Sequence, residues 1–406
     1  MKAAEQADVI LFAGGLPERM EGEAFDRTSF EMPENQKHLI DLLMNLNKPM
    51  VLLSFSGSPY AVYRTEQWNA ILQMYLAGEG CAEAAAGLLS GRVSPSGRLA
   101  ETWPLKLEDT PAAGNFARKE HQIFYRERML VGYRHYLCRK IPVLFPFGAG
   151  LGYSDTCFSD LKILKISSAE IRISVKVHNL GKYEQRETVQ VYVKKPEREN
   201  LMDAPEVLGA FAKTLLKPGE QKEVTAAVPK RAFAVYDTEQ RRFVIPSGTY
   251  QICIGRNCQD LVLAESVSFA EEDGEIPVRD SVKDEMVYLD AKGKNYDPEK
   301  KGKRKYSVSD SFADLSKHSL LAKVLLWIAG KEIPKLYPGR SPDDPEIRMT
   351  METMRDGTAD MVSLQSEGMI PYRLVKACVD SANGHKGKGF IDLFHKEADE
   401  RSRSHE

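Results

Sequence analysis

The spacing of apolar residues changes near residue 160, and this change limits the chain to a fold with two unlike parts. Before it, short continuous apolar runs at residues 9–13 and 49–54 flank a helical pattern over residues 34–45. Continuous runs of this length are typical of strands buried in a parallel sheet, and the alternation predicts βαβ units. After it, apolar residues recur at every second position, which predicts strands with one buried face.

Residues 1–115 are predicted to form a partial doubly wound α/β sandwich domain. The predicted strands cover residues 9–13, 49–54 and 70–74, and the predicted helices cover residues 34–45 and 81–89. About three or four strands are recognisable, whereas such sheets usually have about five or six. The first strand is therefore expected to be an exposed sheet edge, which either another polypeptide covers or a longer chain completes.

The remaining chain divides into four segments of different composition. Residues 116–159 form a connector rich in aromatic residues and arginine, and residues 160–269 contain seven or so short strands separated by turns. This pattern is typical of a β-sandwich of the immunoglobulin or fibronectin kind. Residues 270–310 are predicted to be a charged linker, and residues 311–406 a helical extension. Its helical patches lie at residues 315–327, 347–354, 372–379 and 390–395. The predicted fold class is thus α/β followed by all-β, with a helical tail.

Composition argues against several functional classes. The formal net charge of −2 gives no general attraction to nucleic acid or to an anionic membrane. The six cysteines lack the spacing of a zinc site or of a disulfide framework. The longest apolar run of the tail, residues 320–329, is about ten residues long and too short to span a bilayer. Because the N-terminus has no signal-peptide pattern, we expect a cytoplasmic protein with no membrane or nucleic-acid partner.

The strongest candidate site is the sequence EGEAFDR at residues 21–27, directly after the first predicted strand. It places Glu21, Glu23 and Asp26 beside Arg27, at the carboxyl end of a strand, where open α/β sheets usually bind ligands. A solvated acidic loop is the alternative explanation of this charge cluster. The Gly pair at residues 14–15 lacks the GxGxxG spacing of a dinucleotide site. No histidine lies close to the carboxylates in sequence, so neither a metal nor another cofactor is expected.

Further motifs follow this stretch in a fixed order. They are PENQ at 33–36, GSP at 57–59, GEG at 78–80, PSGRL at 95–99 and TWP at 102–104. With EGEAFDR they resemble the C-terminal α/β sandwich domain of the family 3 glycoside hydrolases, the β-glucosidase group. VGYR at 131–134 and FPFGAGLGYS at 145–154 continue the resemblance. Residues 160–269, with LKPGE at 216–220, resemble the fibronectin type III-like domain that follows in that family.

The resemblance implies retaining hydrolysis of a β-linked glucoside or a related sugar. Two carboxyl groups about 5 Å apart perform this reaction, one as nucleophile and one as general acid/base. The acid/base glutamate of the family corresponds to Glu23, with Glu21 as the second candidate. Asp26 and Arg27 are expected to support the loop, and Phe25 is a candidate sugar contact. Ala24 stands where the resemblance predicts a glycine, a departure that bears on the geometry of the loop.

In that family the nucleophilic aspartate and most sugar contacts come from a (β/α)8 barrel of about 250 residues that precedes the sandwich. No such region is recognisable in this sequence. We therefore interpret the chain as a C-terminal portion that supplies the acid/base and needs a barrel polypeptide for the nucleophile. The alternative is a non-catalytic remnant, or a module that binds carbohydrate or protein. Tyr60 and Tyr63 are candidate sugar-stacking aromatics in either case, although aromatics at such positions are more often partly buried packing residues.

Overall fold

The structure is a computed structural model, and its described residues cover most of the chain. They are residues 1–23, 26–27, 29–113, 127, 129–196, 204–237, 240–270, 288–289, 295–296, 305–366 and 368–385, with only the backbone at 288–289 and 295–296. The α-helices are α1 Lys2–Gln6, α2 Glu34–Met44, α3 Cys81–Leu89, α4 Tyr133–Arg139, α5 Phe312–Ser316, α6 Leu320–Glu332, α7 Pro345–Asp356, α8 Ala359–Gln365 and α9 Tyr372–Ala382. Short 3-10 helices cover Thr65–Gln67, Leu107–Asp109, Lys230–Phe233 and Ile333–Leu336.

The strands fall into two groups, one in the α/β part before about residue 155 and one in the β-sandwich part after it. Those of the first part are β1 Ile10–Gly15, β2 Met50–Phe55, β3 Ala70–Gln73, β4 Trp103–Pro104 and β5 Val143–Phe145. Those of the second part are β6 Thr156–Ile166, β7 Glu170–Asn179, β8 Gln185–Lys194, β9 Glu206–Leu216, β10 Gln221–Pro229, β11 Val235–Asp237, β12 Arg242–Val244, β13 Gly248–Asn257 and β14 Asp260–Phe269. β15 Tyr288–Leu289 and β16 Asn295–Tyr296 form a short antiparallel pair within the predicted linker.

The α/β part is built on a parallel sheet with the strand order β1–β2–β3. Alternate residues of β1 and β2 pack with α2 in one apolar core, which includes Ile10, Phe12, Ile40 and Leu52. On the other face of β1, Leu11 is 52% exposed. Within the described residues β1 lies at the sheet edge, as the sequence predicts, and α1 is a helix that the sequence analysis did not identify.

The second part is the predicted β-sandwich. One sheet has the order β10–β7–β6 and the other has the order β14–β13–β8–β9, with antiparallel neighbours throughout. The alternating residues that predicted a buried face do form the core between the sheets: Ile171, Ile173, Val175 and Val177 on β7, and Val189, Val191 and Val193 on β8. The first strand, β6, begins at Thr156, within the segment expected to be the connector.

Strand β8 is buried on both faces, because the end of the connector packs across its outer side. Tyr192 on that side lies in a small cluster with Cys253 and Cys258, against which Tyr133 and Phe147 pack. Gly148 has a φ of +83°, and a Cβ there would lie 2.1 Å from Gln190 Oε1, so only glycine fits. The FPFGAGLGYS segment therefore joins the two parts closely.

The C-terminal extension forms a helical unit with its own core. Phe312, Leu315, Ala322 and Val375 are fully buried within it. Helices α5, α6 and α7 begin at capping side chains, Ser311, Ser319 and Asp344 respectively, each of which accepts a backbone hydrogen bond. Arg348 of α7 donates a hydrogen bond to the carbonyl of Arg19, in the loop after β1. The predicted helical patch at residues 390–395 and most of the predicted linker lie outside the described residues.

The fold class predicted from the sequence is confirmed: an α/β sandwich part, a fibronectin-like β-sandwich and a helical extension follow one another. A search of the described residues for a helix long and apolar enough to cross a membrane finds none.

A buried ion pair at the junction of the two parts generates a first testable prediction. Arg98 Nη2 donates to Glu187 Oε1 at 2.6 Å, and both side chains are largely buried, with exposed fractions of 12% and 8%. Because Arg98→Ala leaves the Glu187 carboxylate buried without its cation, we expect the free energy of unfolding to fall by about 3 kcal/mol. Chemical denaturation followed by circular dichroism measures this change.

The matched control is Arg172→Ala, which removes the exposed Arg172–Glu170 pair on β7. An exposed pair contributes at most about 1 kcal/mol. Equal effects of the two substitutions would contradict the importance of burial at the junction.

Candidate functional site

The candidate site lies at the carboxyl edge of the parallel sheet. Strands β1 and β2 pair in register from Ile10↔Met50 to Gly15↔Phe55, so both chains leave the sheet at the same place. The loop after β1, residues 16–33, carries the EGEAFDR sequence, and the turn after β2 carries the GSP sequence. The sheet thus brings together two motifs that are about 30 residues apart in the chain.

Glu21 is directed to the turn after β2. Its Oε2 accepts a hydrogen bond from the Gly57 backbone N–H at 2.6 Å, and its Oε1 accepts one from the Ser58 hydroxyl. A Cβ added to Gly57 would lie 3.4 Å from the Glu21 Cδ, so the carboxylate packs directly on the glycine backbone. Both oxygens of Glu21 are therefore engaged by the protein itself.

Arg27 reaches the same turn from the other end of the motif. Its Nη1 donates to Ser58 Oγ at 3.0 Å and to the Pro59 carbonyl at 2.7 Å, and its Nη2 donates to the Ser29 carbonyl at 3.4 Å. The guanidinium also lies 5.6 Å from the centre of the Phe30 ring. Burial lowers the pKa of Arg27, and the nearby Glu21 carboxylate opposes this change.

Glu23 lies between these two anchors and is exposed. Its side chain makes no hydrogen bond or ion pair within the described part of the chain. Asp26 is half-buried. Phe25, the candidate sugar contact, and Ala24, at the position where a glycine was expected, lie outside the described residues.

Sequence reasoning missed a fourth carboxylate at this edge, Glu101. Burial raises the pKa of Glu101 above the ordinary glutamate value of 4.5, while the Tyr75 hydroxyl opposes the rise and the charge of Glu21 adds to it. Glu101 immediately precedes the TWP motif, and this was the only local signal that could have identified it.

Tyr75 is held beside Glu101 in an unusual conformation. Its φ is +52°, in the left-handed region that residues other than glycine rarely adopt. Its hydroxyl lies beside Glu101 and the Trp103 indole. Among the residues that the structure describes, neither this hydroxyl nor Trp103 Nε1 finds a hydrogen-bond partner of normal geometry. Strained backbone and unpaired buried polar groups of this kind are frequent near functional sites.

A cleft of about 400 Å³ extends from Arg27 along the same side of the α/β part. Its lining includes Arg27, Phe30, Glu101, Thr102 and Tyr136. The Arg27 Nε and the Thr102 Oγ1 are buried and have no hydrogen-bond partner in the described part of the chain. Within the described ranges, no group of three or more His, Cys, Asp or Glu side chains is arranged to hold a metal ion.

The candidate stacking tyrosines are not open platforms. Tyr60 is fully buried, packs edge-on against Trp103 and hydrogen-bonds Ser54 at 2.7 Å. The Tyr63 ring is half-buried against the same core, and its hydroxyl donates to Asp41 of α2 at 3.3 Å. Tyr60 is therefore a core residue and cannot stack on a sugar.

Comparisons with known proteins agree with this architecture. Residues 1–153 match the model of the glycosyl hydrolase family 3 C-terminal domain, and residues 187–258 match the fibronectin type III-like domain. Thermostable beta-glucosidase B of Acetivibrio thermocellus is 40% identical over 276 residues, which are 66% of this chain and 36% of that protein. An exo-alpha-(1->6)-L-arabinopyranosidase of Bifidobacterium breve is 34% identical over 273 residues, 67% of this chain and 36% of that protein. The chain spans about a third of the length of these relatives.

Solved structures of beta-glucosidases also superpose on about two thirds of this chain. The GH3 beta-glucosidase of Bifidobacterium adolescentis superposes with a TM-score of 0.62 and 32% identity, over 67% of this chain and 42% of that chain. The beta-glucosidase of Kluyveromyces marxianus in complex with glucose superposes with a TM-score of 0.63 and 30% identity, over 66% of this chain and 33% of that chain.

The raised pKa of Glu101 generates a second testable prediction. A carboxyl whose pKa is higher in the folded than in the unfolded protein lowers stability at neutral pH, and this cost disappears as the carboxyl becomes protonated. We expect Glu101→Gln to raise the free energy of unfolding at pH 7. The gain should shrink as the pH falls through the raised pKa, and should vanish below the ordinary value of 4.5.

Denaturant unfolding of both proteins between pH 7 and pH 3.5 measures the difference. Glu108→Gln, at an exposed glutamate seven positions further on, is the control and should give a constant, near-zero difference. A gain for Glu101→Gln that does not depend on pH would contradict the assigned cause.

Proposed function

The chain carries the C-terminal α/β sandwich and fibronectin type III-like domains of the family 3 glycoside hydrolases, and we propose that it supplies the general acid/base of a retaining glycosidase. Glu23 is the residue to which we assign this role. The substrate class is a β-linked glucoside or a related pyranoside, since relatives of the chain are named beta-glucosidases and arabinopyranosidases. The observation that carries the proposal is the exposed Glu23 carboxylate at the carboxyl edge of the sheet.

The chemistry requires two carboxyl groups with separate roles. In the first step, the acid protonates the leaving glycosidic oxygen while a nucleophilic carboxylate attacks the anomeric carbon. In the second step, the same acid/base residue takes a proton from the water that releases the sugar. Glu23 can reach a substrate from the sheet edge because no described residue covers or binds its carboxylate. We propose that a (β/α)8 barrel polypeptide docked at this edge provides the nucleophile.

The other carboxylates at the edge suit this role less well. Both oxygens of Glu21 accept hydrogen bonds from the turn after β2. Glu101 is half-buried beside Tyr75. Asp26 is half-buried, next to the anchoring Arg27. Proton transfer to a bound substrate needs a carboxyl within hydrogen-bonding reach of it, and Glu23 is the most accessible of the four.

A non-catalytic role as a carbohydrate-binding module is the second hypothesis. Sugar-binding modules use exposed aromatic platforms, and the burial of Tyr60 removes one of the aromatics on which that hypothesis relied. No other described contact favours it over catalysis, so we retain it as an outcome of the experiment below.

Hydrolysis of an aryl β-glucoside by this chain, purified with a barrel polypeptide of the family, tests the assignment. We expect Glu23→Gln to lower kcat/KM about 100-fold or more, because general acid/base catalysis contributes about 10²- to 10⁴-fold. Glu18→Gln removes an exposed carboxylate from the same loop and should leave the rate unchanged.

The loss should also depend on the leaving group. A leaving group of low pKa departs without protonation, so Glu23→Gln should slow the first step for a phenyl glucoside far more than for a dinitrophenyl glucoside. Equal losses with both substrates, or wild-type activity in Glu23→Gln, would show that Glu23 is not the acid. An inactive but well-folded wild-type pair would favour the binding-module hypothesis.

A further inference from the structure

The loop that carries Glu23 is fastened on both sides to one turn. Two residues before Glu23, the Glu21 carboxylate accepts hydrogen bonds from Gly57 and Ser58. Four residues after it, the Arg27 guanidinium donates to Ser58 and to the Pro59 carbonyl. The Ser58 hydroxyl belongs to both anchors, because it donates to Glu21 and accepts from Arg27.

We propose that Glu21, Ser58 and Arg27 form a clamp that positions Glu23, and that Glu21 acts as a positioning residue and not as an alternative acid. This inference rests on the proposed acid/base role of Glu23 and adds a function for its neighbours. The clamp joins the ends of the EGEAFDR motif to the carboxyl end of β2, the central strand of the described sheet.

The direction of the two hydrogen bonds through Ser58 makes the clamp stronger than two separate contacts would be. The cationic guanidinium donates to Ser58 Oγ, and the Ser58 hydroxyl donates to the anionic Glu21. Each bond has one charged partner, and bonds to ionised groups are about twice as strong as bonds between neutral groups. A hydroxyl that accepts from a cation also becomes a better donor, so the two bonds reinforce each other.

The turn is shaped to receive this carboxylate. Gly57 presents a bare backbone N–H at 2.6 Å from Glu21 Oε2, and a Cβ at this position would lie in van der Waals contact with the carboxylate, 3.4 Å from Glu21 Cδ. The loop itself is long, with residues 16–33 between β1 and α2. A loop of this length needs such attachments to hold one side chain in one place, and a misplacement of about 1 Å costs an enzyme up to about 100-fold in rate.

Hydrogen exchange of the full chain tests the clamp without any need for activity. In Glu21→Gln and in Ser58→Ala, the peptide that contains residues 55–60 should exchange at least about tenfold faster than in the wild type, the factor expected for one lost hydrogen bond to a charged group. Glu18→Gln is the matched control, with the same loss of charge three positions earlier, and should exchange like the wild type. Unchanged exchange in Glu21→Gln, or equal acceleration in Glu18→Gln, would overturn the clamp.

Kinetics of the chain with its barrel polypeptide test positioning against a merely structural role. We expect Ser58→Ala to lower kcat for a phenyl glucoside about tenfold with little change in KM, and to affect a dinitrophenyl glucoside much less. Ser58→Thr keeps the hydroxyl and should restore most of the rate. A uniform loss with both substrates, or no rescue by threonine, would overturn the positioning role.

The two sets of measurements separate this inference from the assignment of Glu23. If Glu23→Gln keeps wild-type activity while the exchange results hold, the clamp exists but does not serve an acid at Glu23. If Glu23→Gln is inactive but Ser58→Ala has wild-type kinetics and exchange, the assignment of Glu23 stands and the clamp fails.

Discussion

The parallel pairing of β1 with β2 is the constraint on which the candidate site depends. Parallel strands end at the same edge of a sheet, and here the in-register pairing continues to Gly15 and Phe55, the last residues of both strands. The loop after β1 and the turn after β2 therefore begin side by side. A shift of one residue in this register would turn the buried side chains of β1 to the other face of the sheet and would also move the turn away from Glu21.

Several features that are unfavourable for stability lie together at this edge of the sheet. Tyr75 has a left-handed backbone, and Glu101 is half-buried with a raised pKa. The Thr102 hydroxyl is buried and has no hydrogen-bond partner among the described residues. Each feature costs folding free energy, and a protein keeps such features where function depends on them.

Much of the fold could be predicted from the sequence because apolar periodicity reflects burial directly. The continuous run at residues 49–54 became β2, and the alternation from Ile171 to Val177 became an inner face of the β-sandwich. The short helix α1 was missed, since five residues are too few to show a period. The choice between sugar stacking and core packing for Tyr60 could not be made from the sequence, because an aromatic next to a loop has the same local sequence whether it is exposed or packed against Trp103.

Side-chain contacts of the site could not be predicted in the same way. Glu21 and Glu23 differ by two positions in the chain, and their types and neighbours in sequence are alike. What separates them is the turn after β2: the partners of Glu21 are Gly57 and Ser58, more than thirty positions away in the chain. Sequence reasoning treated the acidic neighbours as a local group around Glu23. The structure instead directs the Glu21 carboxylate onto the turn after β2 and leaves Glu23 exposed, with no hydrogen bond to any described residue. The two similar carboxylates therefore have different surroundings, because the pairing of the strands brings a hydrogen-bonding turn to only one of them, and different surroundings are what our proposal of different roles rests on.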